Sequence, residues 1–166
     1  MPRGIFGMRL VLVVKWSAES WFRRHSPLNA ALAIQGGKVA ISIYYTVERR
    51  TLLNDQELAL VSEIVRNFSV DQDIEQYLKS GNGLNWESFD ISTNTEAGNL
   101  FKNGLVITGA TKLPDNEENA TWIGLQHWCN CLSKLRNAIS ECNWKVYVED
   151  HEIQWDNVQK TYDPSR

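Results

Sequence analysis

Glu149, Asp150, Glu152 and Asp156 fall within eight residues, interleaved with Trp155 and preceded by Trp144 and Tyr147. Carboxylates this close do one of two things. Exposed, they steer a cationic partner, with aromatic side chains supplying the desolvated centre of the contact. Paired in a pocket, they exchange protons with a substrate. Asp115, Glu117 and Glu118 form a second cluster, and Asp71, Asp73 and Glu75 a third. The docking chemistry needs only exposure. The acid–base chemistry needs one particular pair, and nothing in the pattern selects it among 20 acids. A structural role competes with both, since charges on strand edges deter strand-to-strand aggregation.

Other chemistry is less well supported. His127, Cys129 and Cys131, with Cys142 further on, suggest zinc. Tetrahedral sites, however, take paired cysteines from turns. On a helix, at about 100° per residue, Cys129 and Cys131 point roughly 160° apart. They are expected as small core residues, and no metal or other cofactor is assigned. No nucleophile motif accompanies a cysteine, and Gly36-Gly37 and Gly81-Asn82-Gly83 lack the Lys-Ser/Thr of a phosphate loop. His151, flanked by Asp150 and Glu152, reads as a surface histidine. No catalytic residue is assigned, and the chain is expected not to be an enzyme. Arg23-Arg24-His25, beside Trp21 and Phe22, and Arg49-Arg50 have the basic–aromatic mix of single-strand nucleic-acid grooves. The pI near 5.6 argues against a nucleic-acid partner. These arginines are expected to pair with acids inside the fold.

The elements that must position the acids follow from periodicity. Lys38–Glu48 alternates Val39, Ile41, Ile43, Tyr45 and Val47 with smaller or polar residues, predicting a half-buried strand. Asn54 followed by Glu57 forms a capping box, and Leu58, Val61, Ile64, Val65 and Phe68 continue as one helical face. A short helix is expected over Asp71–Lys79, with Ile74, Tyr77 and Leu78 inward. Strands are expected over Met8–Lys15, at Trp86–Ile91 and over Leu105–Gly109, with a short helix over Thr95–Lys102 between the last two. The long pattern Ala120–Cys142 places Trp122, Leu125, Cys129, Leu132, Leu135 and Ile139 on one stripe, capped by Asn119. Trp144–Glu149 alternates as a strand, Asp150-His151 turns, and Glu152–Asp156 returns.

The expected fold is therefore α+β. Residues 1–166 form a single domain with a mixed or mainly antiparallel sheet of about four to six strands and two principal helices, near 55–68 and 120–141. Residues 1–7 and 160–166 are expected to fray, with Met8 an alternative start. Residues 1–50 carry a formal +6 (8 Lys/Arg, 2 Glu) and residues 51–166 a formal −9 (9 against 18), summing to −3. The longest apolar run, Leu10–Val14, is too short for a membrane span or a signal core. Three cysteines, an odd number, fit a reducing cytoplasm. No signal bears on oligomeric state.

The closing pattern is Trp128, Leu132 and Leu135 on a helix, then Trp144-x-Val146-x-Val148, an acidic turn and Trp155-Asp156. It resembles the tails of bacterial immunity proteins, the cognate inhibitors of polymorphic and contact-dependent growth-inhibition toxins. The resemblance implies a role rather than a fold: a cytoplasmic protein that binds one toxin and occludes it. A basic toxin domain, such as a nuclease, would meet Glu149, Asp150, Glu152, Trp155, Asp156, Asp115, Glu117 and Glu118. The alternatives are a protein-binding accessory or regulatory module with another partner, or a small enzyme with an acidic site.

Overall fold

The chain divides into two units, Met1–Gly37 and Lys38–Arg166. The computed structural model describes residues 40–94 and 104–166, all within the second unit. The strand expected over Met8–Lys15, the frayed 1–7 segment and the helix expected over Thr95–Lys102 lie outside the described residues.

In chain order the described elements are β1 (Ser42–Glu48), α1 (Asp55–Asn67), α2 (Asp71–Ser80), β2 (Ser92–Thr93), β3 (Leu105–Lys112), α3 (Ala120–Ala138), β4 (Asn143–Val148), β5 (His151–Glu152), β6 (Gln154–Asp156) and β7 (Thr161–Asp163). Five strands form an antiparallel sheet in the order β2-β3-β1-β4-β5, and β6-β7 forms a separate two-stranded unit. The architecture is α+β, with α1 and α3 as its principal helices and α2 shorter. The alternation expected around β1 holds: Ile43, Tyr45 and Val47 are buried. They join Ile107, Trp144 and Val146 from the flanking strands and Trp128, Leu132 and Leu135 of α3 in one apolar core.

Tyr45 organises the middle of that core. Its hydroxyl donates to the Asp90 carbonyl and lies 3.1 Å from the Thr111 hydroxyl, which accepts the Asp90 N–H. Its ring stacks on Phe89 at 4.8 Å. The residue opposite Tyr45 on β3 is Gly109, where a Cβ would overlap both the Asp90 carbonyl and the Tyr45 ring. This explains why Trp86–Ile91 is not the expected strand: Tyr45 and Thr111 satisfy backbone groups of Asp90 that a ladder would otherwise take. Phe89 and Trp86 instead pack against Trp128.

The capping box at Asn54–Glu57 is present, and Glu57 also receives two hydrogen bonds from Arg49, at 2.6 and 2.7 Å. Arg49 therefore pairs inside the fold, as expected, and ties the end of β1 to the start of α1. Other expectations need correction. Leu78 on α2 is 77% exposed rather than inward. Asn119 does not cap α3 with its side chain but takes a left-handed conformation (φ 64°) before it. α3 ends at Ala138 because Ile139 turns extended and buries its side chain. Residues 160–166 contain β7 in place of a frayed end. Tyr162 is buried there, edge-on to Trp155, and accepts a hydrogen bond from Arg136.

Two outcomes follow. Gly109→Ala lowers the unfolding free energy by about 2 kcal/mol or more in urea titrations, because the backbone carbonyl of Asp90 cannot move as a side chain would. The hydrogen bonds from Arg49 and the Asn54 amide hold Glu57 down to about 2, against an ordinary 4.5. A depressed carboxylate stabilises the fold above its unfolded value, so this contribution is present above about pH 4.5 and is lost as pH falls toward 2. Glu57→Gln costs about 1 kcal/mol at neutral pH and flattens the acid limb of stability against pH, as measured by denaturant unfolding.

Candidate protein-binding surface

β1 is antiparallel to both β3 and β4, so those two strands run in the same direction. Ser42 pairs with Lys112, and Ile43 with Val148. The chain therefore leaves β3 into residues 113–119, and β4 into the turn at Glu149-Asp150, at the same end of the sheet. With strands about 4.8 Å apart, the two exits are roughly 10 Å apart across β1. Two of the three acidic clusters in the sequence, at 115–118 and 149–152, follow these exits.

The first exit is pinned. Pro114 packs over Gly124 of α3, where a Cβ would overlap its ring, and Thr121 donates to the Pro114 carbonyl. Asp115 and Asn85 hold each other through two hydrogen bonds at 2.7 and 2.8 Å, and Asn116 donates to the Gly83 carbonyl. Asp115 is thus a clasp of the loop, with Lys112 also 3.9 Å away. Glu117 and Glu118 stay exposed just before α3, whose positive end favours them.

The second exit is a two-residue turn. Val148 pairs with His151, and Glu149 sits in the left-handed region (φ 51°), where glycine is at ease and other residues carry strain of about 1 kcal/mol. Glu149, Asp150 and Glu152 are exposed. Glu152 pairs with Tyr147, which pairs with Tyr44, so tyrosines border the acids on the side of the sheet facing away from the core. The Tyr44 hydroxyl titrates above its ordinary range, chiefly through burial and also through the nearby Glu149 carboxylate. None of Glu117, Glu118, Glu149, Asp150 or Glu152 lies within 4.0 Å of a cationic nitrogen among the described residues.

Asp156 and Trp155 do not belong to this rim. Asp156 accepts from the Val158 and Gln159 amides at 2.8 and 2.9 Å and from Arg166. These bonds, the amides first, hold its carboxyl below the usual range. Trp155 lies under the Arg136 guanidinium, 4.3 Å from the ring centroid, and against Tyr162. The third cluster is dispersed: Glu75 pairs with Lys79, and Asp71 accepts from Ser88.

One aromatic residue was placed in the core by spacing and is not there. Trp122 is 41% exposed, and Ile123 beside it 45%. The signal lies in the helical phase: buried residues of α3 centre on Trp128 and Leu132, and Trp122 falls about 100° from that centre.

Among the described residues, cysteine and histidine chemistry finds no assembled site. Cys129 and Cys131 are buried, and burial pushes both thiols up to about 12, which leaves them protonated and poorly nucleophilic. His127 sits edge-on to Phe68, Trp86 and Trp128, and Nε2 is 2.9 Å from the Phe68 carbonyl. No three His, Cys, Asp or Glu side chains among the described residues converge as metal ligands do. A groove of about 680 Å³ between α1 and residues 88–93 is lined by apolar and hydroxyl side chains, with Arg66 and Asp71 as its charged residues.

No protein-family model matches the chain, and no curated protein or solved structure matches it. No helix among the described residues is long and apolar enough to cross a membrane.

The division between clasp and rim is measurable by thermal melts. Asp156→Ala lowers Tm, since it strips the β6–β7 turn of its acceptor. Asp150→Ala and Glu152→Ala leave Tm within about 2 °C of the parent, as exposed side chains without partners do.

Proposed function

We propose that this chain is an immunity-type inhibitor, a cytoplasmic protein that binds a basic toxin domain, such as a nuclease, through the acidic end of its sheet. The observation that carries the proposal is that Glu117 and Glu118, and Glu149, Asp150 and Glu152, follow two strands that end at the same end of the sheet, exposed and without ion-pair partners among the described residues. Carboxylates already paired inside the fold add little attraction for a partner, whereas unpaired ones on a rigid frame steer a cationic surface and need no reorganisation on contact. Acids so placed occupy the position that phosphates of a nucleic-acid substrate take on a nuclease, and so inhibit without chemistry of their own. The resemblance of residues 128–156 to immunity-protein tails agrees with this role.

The test uses a basic toxin-like domain, sought in the reading frame next to this chain's own. Co-expression relieves the growth arrest that the toxin domain causes alone. Glu149→Lys with Asp150→Lys weakens the complex by about 2 kcal/mol or more, roughly 30-fold, and abolishes protection. Unchanged affinity at unchanged Tm would move the interface away from this end of the sheet.

A further inference from the structure

We infer that Trp122 and Ile123 are the apolar anchor of this docking surface, and that the partner offers an apolar depression ringed by lysine or arginine. The inference rests on the acidic docking reading above and specifies the partner's chemistry. Trp122 and Ile123 are consecutive, about half exposed, and follow Glu117 and Glu118 by a few residues on the first turn of α3.

The exposure of Trp122 has a geometric cause, while Ile123, about 100° further round the helix, lies on the side of α3 away from the core. Trp122 and Ser133 are eleven residues apart, close to three full turns, and therefore share one flank of α3. At Ser133 that flank is covered by β7: its hydroxyl accepts the Tyr162 amide at 2.8 Å and meets Thr161 at 3.1 Å. About 16 Å nearer the helix start, the cover has ended and the apolar flank has not. The turn that carries the pair is held by the Thr121–Pro114 hydrogen bond and by the seat of Pro114 on Gly124. An indole on a pinned turn offers large contact area at low entropic cost. The adjoining carboxylates select what covers it. A purely apolar surface, such as lipid, would leave Glu117 and Glu118 desolvated and unpaired, which is costly. An apolar depression with a cationic margin satisfies both.

The experiment uses two synthetic peptides with equal numbers of lysines, one oligolysine and one with leucines interspersed, titrated into the full chain. The leucine-bearing peptide binds at least about tenfold more tightly and shifts tryptophan emission to the blue, as burial of an exposed indole does. Trp122→Ala with Ile123→Ala removes that preference, leaves oligolysine affinity unchanged and leaves Tm unchanged. Trp122→Phe keeps most of the preference and loses most of the blue shift. Retention of the full preference by the double variant overturns the anchor. So does a fall in Tm of the size a core deletion causes, which would make the pair structural. Self-association of the parent that the double variant abolishes also overturns it, by assigning the pair to a contact between copies. Failure of the parent to bind oligolysine at low salt instead counts against the acidic docking reading itself.

Discussion

Because β1 carries antiparallel hydrogen bonds on both sides, β3 and β4 are obliged to run in the same direction and to end together. This constraint brings two acidic segments, far apart in sequence, to the same end of the sheet. A parallel pairing on either side of β1 would have sent one of the exits to the opposite end of the sheet. Among the described residues the short strands β2 and β5 are the edges of the sheet, and the exposed Glu152 on β5 also serves the edge-protecting role of a charged residue. That role and a docking role are compatible, since both require the carboxylate to stay in water until a cation arrives.

Rigidity at the rim is inherited from the core through a traceable series of contacts. Tyr45 lies over Gly109 and fixes Asp90. The segment carrying Asp90 begins near Asn85, which clasps Asp115. The clasp and the Pro114–Gly124 seat set the path of the chain through Glu117 and Glu118 into α3. At the far end of the sheet, Arg49 and Glu57 lock β1 to α1 in the same manner. The acids that remain free are the ones this framework does not consume. Asp115, Asp156 and Glu57 are already bound to amides or cations inside the fold.

Patterns that depend on local geometry were legible in the sequence. The alternation of β1, the capping box of α1, the body of α3 and the strand at 143–148 all appear because each is specified within a few residues. What depends on distant partners was not. Trp155 and Asp156 look like a docking pair in sequence, yet Arg136 covers the first and the amides of residues 158 and 159 take up the second. Trp122 shares a flank with a buried serine, and only the limited reach of β7 along the helix separates their fates. Trp86–Ile91 has strand composition but loses its ladder to the hydroxyls of Tyr45 and Thr111. Helical phase can propose a face. It cannot say how far along the helix that face is covered.

The proposed assignment of the contact surface to the acidic end of the sheet is tested by amide hydrogen exchange of the chain with and without the proposed basic partner. New protection is expected to concentrate in residues 116–123 and 147–152, with residues 48–54 and 138–143, at the opposite end, unchanged. Protection confined to that opposite end, or to the β6–β7 unit, would contradict it.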